Sequence, residues 1–81
     1  MESQTLASLE LGQKAVIESI KVADSQVQRL MTLGLVEGAV LEFASSALGG
    51  DPLEFRLFGS SISLRQEQAR HFTVSTVEAG G

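Results

Sequence analysis

The stretch LEFRLFGSSISL, residues 53–64, decides the architecture. Leu53, Phe55 and Leu57 alternate with Glu54, Arg56 and Phe58, the period of two that a strand with one buried face requires. The Gly59-Ser60 pair then reads as a two-residue hairpin turn, because glycine takes the positive φ such a turn demands. The chain returns through Ser61 to Leu64 with Ile62 and Leu64 facing inward.

Upstream, Leu48-Gly49-Gly50-Asp51-Pro52 supplies both positive and fixed φ, as a loop between strands needs. It is preceded by Val40 to Ser46, rich in branched and aromatic residues and read as a strand. Earlier still, Ser25 and Gln28 form a Ser-x-x-Gln capping box ahead of Val27, Leu30 and Met31, spaced i, i+3, i+4. Gly34 closes that helix, which spans about Gln26 to Leu33. Lys14 to Ile20 is a further strand, with Ala15, Ile17 and Ser19 on one face and Val16, Glu18 and Ile20 on the other. Leu6 and Leu9 fit a short lid before it. Downstream, Arg65 to Arg70 makes one helical turn anchored by Ala69, and Phe72 to Val77 is a last strand.

Five short strands joined by short loops shield their edges best by curling up. The expectation is a mainly β fold, a small five-stranded SH3-like barrel with one short helix inserted between its first two strands. The domain should span residues 5–77, with flexible tails at 1–4 and 78–81. Ile17, Leu30, Phe43, Phe55, Leu57, Ile62, Leu64 and Val74 should point inward.

Composition removes most chemistries. The chain has 81 residues, 10 acidic and 6 basic, a net charge of -4 and no cysteine. Disulfides, thiolate metal sites and cysteine nucleophiles are therefore excluded. The basic residues are scattered singly along the sequence, which argues against nucleic-acid binding. The longest uncharged runs, Phe43 to Gly50 and Leu57 to Leu64, are far shorter than the ~20 residues a membrane-spanning helix needs. No Gly-x-x-x-x-Gly-Lys loop or Gly-x-Ser-x-Gly elbow occurs, so nucleotide hydrolysis and serine-hydrolase chemistry lack their parts. No catalytic residue is assigned.

His71, four residues after Glu67, could offer two ligands on a helical face, but a lone imidazole without further nitrogen or sulfur donors reads as a surface side chain. Glu37, Asp51 and Glu54 are oxygen donors dispersed among turns, where solvated carboxylates are the rule. No metal or cofactor site is assigned, and only a weak ferrous-iron contact is left open. Binding remains. Leu48, Gly49 and Pro52 in the glycine-rich loop, together with Phe58, are the candidate partner-binding residues, although Phe58 packing under the helix is the slightly favoured alternative.

Three motifs in order carry a family resemblance: Leu33-Gly34-Leu35 followed by Gly38, then Leu48-Gly49-Gly50-Asp51-Pro52, then Ser61-Ile62-Ser63-Leu64-Arg65 with Ala69. They resemble the LGL-x-x-G, PLG-D-P and A-L-R-x-x-x-A pattern of the FeoA family, from about Thr5 to Val77. Ala47 stands where the family often has proline, and Ser61 and Ser63 stand where small or apolar residues are common. The resemblance implies a small cytoplasmic accessory protein of bacterial ferrous-iron uptake, acting at the inner face of the membrane with FeoB, a large membrane GTPase permease. A free-standing peptide-binding regulatory module, similar to the C-terminal domain of DtxR-type iron-dependent repressors, is the alternative it leaves.

Overall fold

The computed structural model describes residues 4–21 and 24–77. They form six strands: β1 (Gln4–Thr5), β2 (Lys14–Ile20), β3 (Val40–Ser46), β4 (Leu53–Leu57), β5 (Ser60–Leu64) and β6 (Phe72–Val77). Two helices, α1 (Ser25–Thr32) and α2 (Gln66–Ala69), and two 3-10 turns, Leu6–Ser8 and Leu48–Gly50, complete the chain. All strands are antiparallel in a single sheet of order β1-β6-β2-β3-β4-β5. The mainly β class and the inserted helix agree with the reading of the sequence. The strand count is six rather than five, because Gln4, expected in a tail, pairs with Val74 beside Thr5 and Thr73. Residues 1–3 and 78–81, the remainder of the expected tails, lie outside the described residues.

The core explains why these elements meet. Phe55, Phe72, Leu6, Ile17, Leu35, Leu41, Leu64 and Val27 are its largest fully buried side chains. Phe55 projects from the middle of β4 and tilts against Phe43 of β3, with ring centroids 5.3 Å apart. Leu6 and Leu9 are buried from the N-terminal turn, as a lid would be. Of the residues expected inside, Ile62 alone is only partly buried, because β5 is the last strand of the sheet and its outer side is uncovered.

Two local expectations are corrected. In β2 the register with β6 shifts between Ile17 and Ser19, and this bulge ends the simple alternation. Ile20 consequently packs against the core, while Glu18 is exposed and accepts a hydrogen bond from Ser75 Oγ at 2.6 Å. In α1 the cap is Asp24 rather than Ser25: Asp24 Oδ1 accepts the Val27 N–H at 2.9 Å and Ser25 becomes the first helical residue. A carboxylate there also favours the positive end of the helix. The other end closes as expected. Gly34 N–H donates to Met31 O and Leu35 N–H to Leu30 O, the pair of bonds that ends a helix on a left-handed residue.

Candidate docking surface

Four sequence-selected residues divide between the two ends of β4. Leu48, Gly49 and Pro52 share the β3–β4 loop, whereas Phe58 sits past the opposite end, in the β4–β5 turn. With about 3.3 Å of rise per residue, β4 holds the two groups roughly 16 Å apart, so they do not make one patch.

The β4–β5 turn is Phe58-Gly59, one residue earlier than the sequence suggested, since Leu57 pairs with Ser60 across it. Both turn residues have positive φ, 53° for Phe58 and 80° for Gly59, which matches the twist of the flanking strands. Phe58 thereby occupies a left-handed conformation that a bulky side chain enters at a cost of about 1 kcal/mol. It is not packed under the helix. The residue is 79% exposed, and its ring edge lies over Gly34, where an added Cβ would meet Phe58 Cε2 at 3.3 Å. Val40 lines the recess on one side of the turn and Leu33 the recess on the other, both exposed. The result is an apolar prominence on the outside of the domain.

At the other end Leu48 is completely exposed. Gly49 and Gly50 both take positive φ, and the Asp51–Pro52 peptide is cis. The loop is pinned to α2: Gln66 N–H donates to Asp51 Oδ1 at 3.0 Å, and Gln66 Nε2 donates to Gly50 O. The side chain of Leu48 is thus presented on a fixed backbone.

The candidate ligands do not converge. Among the described residues, no group of three histidine, aspartate or glutamate side chains is placed to hold a metal ion. Glu54 accepts from Ser45 Oγ, Asp51 caps Gln66, and Glu37 lies beside Val36 and Ile20. His71 is half-buried just beyond α2. Nor is any helix among the described residues long and apolar enough to cross a membrane.

A third feature has no local signature in the sequence. Arg29 of α1 and Arg65 and Arg70, which flank α2, line one cleft of about 850 Å³ together with Ser63 of β5. Residues 29 and 65 are too distant in the chain for any local pattern to connect them.

Known proteins place this geometry. The FeoA domain description matches residues 4–76. The FeoA protein of Chlorobium tepidum is 32% identical, with a TM-score of 0.86 over 96% of this chain and 74% of that one. The zinc-complexed FeoA of Stenotrophomonas maltophilia, a prokaryotic SH3 domain protein put forward as a ferrous iron transport activating factor, is 30% identical, with a TM-score of 0.78 over 90% of this chain and 91% of that one. A manganese-dependent transcriptional repressor shares the fold alone, with a TM-score of 0.81 at 16% identity over 95% of this chain and 38% of the repressor. Comparison with curated protein sequences gave no match. The motifs, the SH3-like sheet and the match over residues 4–76 together show that the chain belongs to the FeoA domain family, the accessory proteins of ferrous iron transport.

Proposed function

We propose that this protein docks onto the cytoplasmic portion of a FeoB-like membrane GTPase permease and modulates ferrous-iron transport without performing catalysis itself. The observation that supports this most is Phe58, a large apolar side chain held out in a strained turn, where burial in a partner would recover its exposed surface. Strain of this kind is retained where it serves a contact. Leu48 is a second anchor, at the far end of β4.

Co-purification of the protein with the permease, together with ferrous uptake in cells, tests the reading. Phe58→Glu should reduce recovery at least about tenfold, because a charge buried at an interface centre costs several kcal/mol. Leu48→Glu should reduce it less, and circular dichroism should show both variants folded. A folded double variant that still binds and supports uptake fully would sink the proposal. Unaltered uptake in a deletion strain with changed iron-responsive transcription would favour the repressor-module alternative.

The same turn yields a second expectation. Asparagine tolerates positive φ, so Phe58→Asn should raise stability by about 0.5–1 kcal/mol in thermal denaturation while weakening docking. A gain in stability with a loss of binding is the opposite of what a structural role predicts.

The docking role requires no resident metal. Anaerobic titration with ferrous iron should give only weak binding, unchanged by His71→Ala, since one imidazole and dispersed carboxylates form a poor donor set. Stoichiometric micromolar binding lost in His71→Ala would overturn this.

A further inference from the structure

We propose that the groove between α1 and the free edge of β5 binds an extended acidic segment of a partner protein, which pairs with β5 as an added strand. Two independent observations lead there. The first is the edge. Among the described residues, β5 ends the sheet and pairs only with β4. In a two-residue hairpin, Leu57 and Ser60 exchange hydrogen bonds across the turn and the pattern then alternates. Ser61 and Ser63, opposite Arg56 and Glu54, therefore turn their backbone N–H and C=O outward. Both residues are exposed, and among the described residues no backbone group bonds to that side. Such an edge is a template for another chain.

The second observation is charge. Arg29, Arg65 and Arg70, half of the chain's six basic residues, line the cleft that Ser63 enters. Among the described residues none of the three guanidinium groups makes an ion pair. Asp51 and Glu67 line the cleft as well, two carboxylates against three guanidinium groups. The cleft retains a positive surplus, while the rest of the chain sets three bases against eight acids. Guanidinium groups match carboxylates in two-point contacts.

Toward the hairpin turn the same edge becomes apolar, where Leu33, Leu57 and Ile62 line a recess with Ser60 and Ser61. A segment with carboxylates at one end and an aliphatic residue at the other fits both ends. An extended chain fits better than a free anion because the cationic cleft continues into an open strand edge.

The site shares the Leu33 recess with one flank of the Phe58 turn but does not include Phe58, and it is tested without the permease. The probe is a fluorescein-labelled peptide, EEDVTVL, with KKKVTVL as control, measured by fluorescence anisotropy. The acidic peptide should bind, weaken with added salt and shift the amide resonances of Ser61 and Ser63, while the basic control should not bind. Arg29→Glu with Arg70→Glu should weaken binding at least about tenfold. The milder Arg29→Gln with Arg70→Gln should weaken it in the same direction. Ser63→Pro removes an outward N–H without breaking the β4 ladder and should also weaken binding. Lack of binding, or binding to both arginine variants as tight as to the unsubstituted protein, overturns the proposal. Arginine-dependent binding untouched by Ser63→Pro, or displaced equally well by inorganic phosphate or GTP, overturns it too, because it would mark a general anion site rather than strand pairing.

Discussion

Phe55→Ala should remove about half or more of this protein's stability. Phe55 is fully buried at the centre of β4, against Phe43. Truncating a buried phenylalanine costs about 3–5 kcal/mol, from the lost transfer energy and the cavity left behind. A domain this small has a total stability of only about 5–8 kcal/mol. At roughly 4–8 °C per kcal/mol, the melting midpoint should fall by at least about 12 °C. Thermal denaturation followed by circular dichroism measures this directly. A fall of only a few degrees would mean that Phe55 is not the centre of the core.

The second large effect is expected at Gly34. Its φ is +115°, a conformation that side chains rarely adopt, so Gly34→Ala meets backbone strain. The new Cβ would also lie 3.2 Å from Leu57 Cδ2 and 3.3 Å from Phe58 Cε2. Leu57 is held in the core and cannot retreat, whereas the exposed Phe58 ring can. The combined cost should be about 2–3 kcal/mol. Because the easier relief is to displace Phe58, the variant should also bind the permease less well than its stability alone accounts for. Comparing its recovery on the permease with that of a core variant of equal stability separates the two effects.

Legibility followed the range of the interactions. β3, β4, α2 and β6 lie where alternation, glycine and proline place them, because those signals are local. β1 could not be read, since two residues carry no period and only pairing with Val74 and Thr73 makes them a strand. The β4–β5 turn shifted by one residue because phenylalanine is an unusual occupant of positive φ. The helix cap fell to Asp24 because aspartate and serine compete there on nearly equal terms. Leu35 and Phe72 are fully buried, yet no local pattern in the sequence marked them as core. The candidate surface was half visible: Leu48 and Phe58 stood out as apolar residues in turns, but their separation by β4 and the gathering of Arg29 with Arg65 and Arg70 are products of the tertiary fold.

The pairing of β2 with β6 also governs when this protein can come into being. Ile17 meets Val74, and Ile20 meets Phe72, across most of the chain. Closing so long a loop before any reward is collected makes folding slow for the size, in the range of milliseconds to seconds. On the ribosome, β2 stays without its β6 neighbour until residues 72–77 have been synthesised and have left the exit tunnel. Until then the apolar faces of β3 and β4 are accessible to chaperones and to other nascent chains. A truncation before Phe72 should leave an aggregating fragment rather than a smaller domain.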